Sequence, residues 1–177
     1  TINFNVSSGS TLNVGTSLID GSTGAFTLNS GAGIVTAHAQ GLSTTAGTGS
    51  IRVAGTKTYS TGANYTYNGT AAQVTGNGLP STVSNLTISN ATGVTLNAAK
   101  TITNNFSITS GSFVNLQAAT HNTGTLTLGG IGTAPGSWGS TISSATNKNN
   151  TYFASTTGII NVVIPPTVTG ALICTGA

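Results

Sequence analysis

The chain has 177 residues, of which only 3% are charged, with one acid, no Glu and a net charge of +3. Ordinary globular chains carry about 25% charge. Arg52, Lys57, Lys100 and Lys148 are strung out rather than clustered, which argues against nucleic-acid binding by phosphate neutralisation. No stretch approaches the 18 or so consecutive apolar residues of a membrane-spanning helix, so membrane insertion is not expected.

From the N-terminus onward the chain is written in short alternating apolar pairs rather than helical stripes. In order these are Phe4/Val6, Leu12/Val14, Phe26/Leu28, Ile51/Val53, Tyr65/Tyr67, Leu86/Ile88, Val94/Leu96, Phe106/Ile108, Val114/Leu116 and Leu126/Leu128. Gly, Ser, Thr and Asn fill the intervals, as expected of strands joined by many tight turns. The run "IINVVI" (159–164) reads as a buried strand closing the domain.

The spacing of the pairs carries topology. Phe4 to Phe26 and Leu12 to Ile34 are each 22 residues, and Leu86 to Phe106 to Leu126 advances by 20 twice. Pairs advancing together at a fixed period describe a coil that cannot bury its apolar face alone and must stack on the next. The expected fold is all-β, a right-handed parallel β-helix with coils of about 20–22 residues. The alternative is an antiparallel β-sandwich, which also spaces short strands by turns. The stretch 60–82 breaks the period and is expected to be an irregular coil or a protruding loop. Residues 1–164 form the expected domain, and 165–177 a Pro-led linker with an apolar tail strand. With Thr1 first and no signal peptide, the chain reads as a processed product or an excerpt of a longer one.

Two segments, "YNGTAAQVTGNGLPSTVSNLTISNATGVTL" (67–96) and "GSWGSTISSATNKNNTYFASTTGIINVV" (136–163), carry a resemblance. They resemble a repeat module of very large bacterial surface proteins that use type IX secretion, over residues 10 to 163. The resemblance implies a secreted, cell-surface, structural or adhesive role, with no catalytic residues to carry over.

The residues themselves offer little chemistry. Glycoside hydrolysis needs two carboxylates and the chain has Asp20 alone. His38 and His121 lie far from Asp20 in sequence, and with Cys174 they show no metal-ligand spacing. No catalytic residue, metal or cofactor is therefore expected. His38 reads as an outward strand residue or ligand, and His121 as a turn residue. Trp138 reads as a cap on an open end of the core, with sugar stacking as its functional alternative. Tyr65 and Tyr67, with Tyr59, are the other candidates for stacking on a sugar.

Seven N-x-S/T sequences occur, at Asn5, Asn64, Asn68, Asn85, Asn90, Asn105 and Asn149. In a chain this rich in Asn, Ser and Thr most of these arise by chance and read as turn and strand residues, with Asn64, Asn68, Asn90 and Asn149 the candidates for glycosylation. The triplets "TKT", "TIT" and "TLT" raise the reading of an ice-binding β-helix, but they do not share one register, so no long Thr ladder is expected. After Pro165 and Pro166 stop pairing, Thr167–Cys174 reads as a lone strand. Val168, Leu172 and Ile173 are its candidates for self-association with another copy or a neighbouring domain. The expected function is a non-enzymatic structural or adhesive module of an extracellular bacterial protein, able to assemble head to tail. Its expected partners are itself, neighbouring domains and surface glycans, and the alternative is a carbohydrate-binding module or ice-binding β-helix.

Overall fold

The computed structural model describes residues 3–163, which are all-β with no helix. The chain makes successive passes, each laying down short strands beside those of the pass before. The first pass supplies β1 (Phe4–Val6) and β2 (Thr11–Gly15), and the second β3 (Phe26–Leu28) and β4 (Gly33–Thr36). The third supplies β5 (Lys57–Tyr59), β6 (Asn64–Tyr67) and β7 (Gln73–Val74). Next come β8 (Thr82–Val83), β9 (Asn85–Ile88) and β10 (Val94–Thr95), then β11 (Thr101–Ile108) and β12 (Val114–Asn115). After β13 (Thr120–Leu128) follow β14 (Ile131–Gly132), β15 (Gly136–Gly139), β16 (Asn147–Lys148) and β17 (Ile159–Val162).

Pairing is mostly parallel, unlike an antiparallel sandwich. One three-stranded sheet runs β1-β3-β5, another β12-β10-β7, and the main sheet carries β13-β11-β9-β6-β4-β2. Registers follow the sequence period: Phe4 faces Phe26, Leu12 faces Ile34, Tyr65 faces Leu86, and Leu86, Phe106 and Leu126 stand in one column. Alternation turns one side chain inward and the next outward along most strands, with a break in the middle of β11 and β13 where their register shifts. The inward residues of all three sheets merge into one apolar cluster, with Phe26, Leu28, Tyr67, Leu86, Ile88, Phe106 and Ile108 wholly buried. Each such side chain contributes about 1.5–3 kcal/mol on leaving water.

The interruption in the period lies elsewhere than expected. Residues 60–82 are in register, since Tyr67 faces Ile88 and Gln73 faces Val94 across steps of 21. The long step falls between β4 and β5, where Ile34 faces Tyr65 and Phe26 faces Lys57, 31 residues on. The extra residues fold between passes rather than protruding. Ser50 N–H donates to Gly41 C=O, Arg52 N–H to Ile19 C=O, Val74 N–H to Ala39 C=O, and Gly78 N–H to Leu42 C=O. Leu42 and Ile51 thereby reach the core, both wholly buried. Gly41 (φ +59°) and Gly76 (φ +77°) make the close approach feasible, because a Cβ there would strike Val74 O and Leu42 O respectively.

This excursion also explains a lysine at an inward position. Lys57 follows Phe4 and Phe26 in their column, and its Nζ donates to Thr45 C=O at 2.8 Å and Thr44 C=O at 3.4 Å. The aromatic neighbours continue on the other column, where Tyr59 donates its hydroxyl to Ser43 C=O. Phe4 stacks on Phe26 with ring centroids 5.9 Å apart, and Phe26 lies 5.7 Å from Tyr59.

A buried amide network ties the passes on one corner. Gln73, 2% exposed, donates to Thr36 C=O and His38 C=O while its Oε1 accepts from Gly69 N–H and Asn90 Nδ2. At the far end the pattern changes hand of pairing. β14 folds back antiparallel on β13 through Gly129-Gly130, and β15 pairs antiparallel with β17 and carries β16. Ile160 and Val162 of β17 are buried as expected for a closing strand, and Ile164 lies outside the described residues.

Gln73→Leu keeps the volume but orphans Gly69 N–H and half of the Asn90 amide. It is expected to lower unfolding free energy by roughly 3 kcal/mol in urea titration. An outward change such as Thr87→Ser should stay within about 0.5 kcal/mol. Gly76→Ala should be at least as damaging as Gln73→Leu, because the clash is with backbone.

Candidate functional surfaces

The ionisable groups are scattered and mostly tied down. Asp20 is exposed in a turn, its Oδ1 accepting from Gly21 N–H at 2.8 Å. His38 lies past the end of β4, not on a strand, half-buried with Nε2 3.3 Å from Arg52 Nη2. Burial, then the Arg52 charge, lower its pKa. Among the described residues no three His, Cys, Asp or Glu side chains come together.

His121 is not a turn residue. It sits in β13 opposite Ile160, wholly buried, with Nδ1 accepting from Lys100 N–H and Nε2 donating to Leu116 C=O, each at 3.1 Å. These bonds hold the ring neutral with its proton on Nε2. The polar context "ATHNTG" hides the inward position, which only the register with Ile160 makes visible. Lys100 is itself buried, its Nζ donating to Leu79 C=O at 2.8 Å, and burial lowers its pKa.

The tyrosines expected to offer a sugar platform face the interior. Tyr65 is 1% and Tyr67 0% exposed, and their hydroxyls donate to Ser60 C=O at 2.6 Å and Thr75 C=O at 2.8 Å. Burial raises both pKa values above the usual range. The sequence "NYTY" shows the alternation, but aromatic rings suit an inward row as well as an exposed one, and only the register decides. Trp138 rests partly buried on the apolar cluster, its Nε1 donating to Ala134 C=O. That placement serves the end of the core closed by β15.

The N-x-S/T sequences have a structural origin in the main sheet. In "NYT" and "NLT" the Asn starts a strand, and in "NFS" it follows the register break inside β11; in all three the next residue points inward and the hydroxyl outward. Asn85 Nδ2 donates to Asn64 Oδ1 at 2.6 Å, and Asn85 Oδ1 accepts from Asn105 N–H. Thr125 and Thr127 hydroxyls then donate to Asn105 Oδ1. Asn64 also donates to Ala32 C=O, so its amide is engaged on both sides. Asn90 is wholly buried, donating to Ala71 C=O and Gln73, which removes it as a glycosylation acceptor in the folded chain. Asn68 is exposed, and Asn149 accepts from Thr151 and Tyr152 N–H through Oδ1, its Nδ2 bonding to nothing among the described residues. Val168, Leu172 and Ile173 lie outside the described residues.

Beside the amide column runs a second outward column, a short one of three Thr and one Ser that the expectation of no long Thr ladder did not foresee. Val35, Thr66, Thr87, Ser107 and Thr127 are successive partners across β4, β6, β9, β11 and β13. Neighbours repeat at about 4.8 Å along the column, and the two columns lie about 6.6 Å apart along the strands. The triplets "TKT" and "TIT" do not contribute to it; "TLT" does, through Thr127. Single hydroxyls separated by 20 or 21 residues form the ladder, which a search for Thr-x-Thr passes over.

Stability is expected to fall as pH is lowered from 7 to 5. Burial first, and Lys100 in smaller measure, hold His121 below its ordinary value of 6.5 against an opposing contribution from the Leu116 bond. Below 6.5 the unfolded chain therefore binds more protons than the folded one. Stability drops by up to about 1.4 kcal/mol per pH unit until the folded group also titrates. His38 adds a contribution of the same sign. In His121→Asn, whose Oδ1 can still accept from Lys100 N–H, thermal melts across this window should show a shallower dependence of Tm on pH.

Comparison with protein-family models, with curated proteins and with solved structures finds no match.

Proposed function

We propose that this chain is a non-enzymatic structural or adhesive module of a bacterial cell-surface or extracellular protein, built as a right-handed parallel β-helix. The observation that carries the reading is the set of parallel registers, mostly at 20–22 residues, with inward places mostly apolar and outward ones mostly uncharged. Such an arrangement presents long, regular, chemically inert faces, suited to spanning distance and to contact rather than to catalysis. The resemblance of residues 10–163 to the repeat module of type IX-secreted surface proteins points the same way. Surface glycans at Asn68 and Asn149 would add hydration to a chain with little charge. An antibody raised against the domain should label intact cells that produce it and reduce their attachment to a solid surface. Labelling only after the cells are broken open would sink the reading.

A second reading, binding to an ordered water lattice, is favoured by the Thr66–Thr87–Ser107–Thr127 column beside the Asn64–Asn85–Asn105 amides. A surface with two fixed repeats fits a ligand that itself repeats. Carbohydrate binding loses support by comparison, because Tyr65 and Tyr67 are buried. Under the lattice reading the protein shows thermal hysteresis that Thr87→Tyr, in the middle of the face, abolishes with no change in Tm. Under the structural reading the freezing point stays where colligative effects put it.

A further inference from the structure

The two ends of the stack differ in how their backbone is left. At the C-terminal end, β14 covers part of β13, while β15 pairs along β17 and carries β16. At the N-terminal end nothing among the described residues pairs with the outer side of β1 or β2, whose partners are β3 and β4 alone. Phe4 N–H donates to Ala25 C=O and Val6 C=O accepts from Asn29 N–H. Alternation in a parallel strand then directs the N–H and C=O of Asn5 to the free side.

The same edge leaves apolar surface uncovered. Phe4 is 39% and Leu18 43% exposed, although Phe4 already stacks on Phe26. A recess of about 420 Å³ opens beside it, lined by Phe4, Ile19, Asp20 and Val53 among others. β1 is short, at three residues, but carries no lysine, proline or bulge to turn an added strand away.

We propose that this edge accepts residues Thr167–Cys174 of a second copy of the chain as an added parallel strand. The inference rests on the structural reading above and names its partner. The donor segment, "TVTGALIC", carries Val168, Gly170, Leu172 and Cys174 at alternate positions with Thr167, Thr169, Ala171 and Ile173 between them, so an added strand would turn Val168 and Leu172 together toward the recess. Self-insertion is excluded by reach. Thr167 is four residues beyond Val163, at most about 14 Å of chain, whereas five strand spacings from β13 to β2 already amount to about 24 Å. At the C-terminal end the antiparallel pairing of β15 with β17 breaks the parallel order of the stack, so an extended segment suits the free edge better than the last pass of a second copy. Each copy then carries one donor and one acceptor at opposite ends, and the contact propagates as a chain of subunits.

Two variants of the 177-residue protein separate donor from acceptor. Asn5→Pro removes the outward N–H of β1, and Leu172→Lys places a charge in the segment meant to enter the recess. By sedimentation velocity, the native protein should form concentration-dependent oligomers and each variant alone should be monomeric. An equimolar mixture should give a one-to-one dimer and stop there, because only one intact donor and one intact acceptor can meet. Phe4→Asp serves as a second acceptor variant should Asn5→Pro lower the Tm. The proposal is overturned by a native protein that stays monomeric, by single variants that assemble like the native chain, or by a mixture that yields no dimer. Assembly retained in Leu172→Lys and lost in Asn5→Pro would assign the edge to another occupant, and equally overturns it. Surface labelling of producing cells is read independently, so failure here leaves the structural reading to stand or fall by its own test.

Discussion

Backbone pairing between successive passes decides where every interior side chain of this molecule lies. A single pass offers a handful of apolar residues, for example Leu86, Ile88, Val94 and Leu96, too few to exclude water alone. Laid in register on its neighbours, each pass completes the burial of the one beside it. The inward columns merge into one cluster only because strand follows strand at one spacing. The price of a register slip of one residue is the transfer of an entire column to solvent, and the polar elements reinforce against such a slip. The Asn64–Asn85–Asn105 column and the buried Gln73–Asn90 pair both carry bonds across passes.

What the sequence displayed was the part governed by this repeat. The 22-residue step from Phe4 to Phe26 and the 20-residue steps from Leu86 to Leu126 reappear as strand partners. The all-β class and largely parallel pairing follow from those intervals. The 31-residue step at Ile34–Tyr65 was concealed, because nothing in "HAQGLSTTAGTGS" marks a segment that will wedge between passes. Its glycines look like loop residues, and they are. What they permit at Gly41 and Gly49, however, is backbone contact instead of freedom at the surface.

Individual side chains were harder to read than topology. Lys57, Lys100 and His121 occupy inward places because backbone carbonyls and amides of neighbouring passes satisfy their polar atoms. Such partners are remote in sequence and carry no residue-type signature. Tyr65 and Tyr67 illustrate the same limit from the other side, since their hydroxyls find carbonyls inside the stack and their rings never meet solvent. The hydroxyl column at Thr66, Thr87, Ser107 and Thr127 was legible in principle, one residue per period, to anyone who already knew which strand faced which.

The outward columns have a consequence for the surroundings in which the molecule keeps its shape. Their hydration comes from hydroxyl and amide groups, which mobile ions do not screen. The described residues hold a single acid, Asp20, and the buried ammonium groups of Lys57 and Lys100 rest on carbonyl dipoles in place of carboxylates. Dissolved salt therefore has almost no charge pair to weaken. From fresh water to brine the electrostatic part of such a stack should change little, leaving dissolved salt to act on it chiefly through the burial of apolar surface.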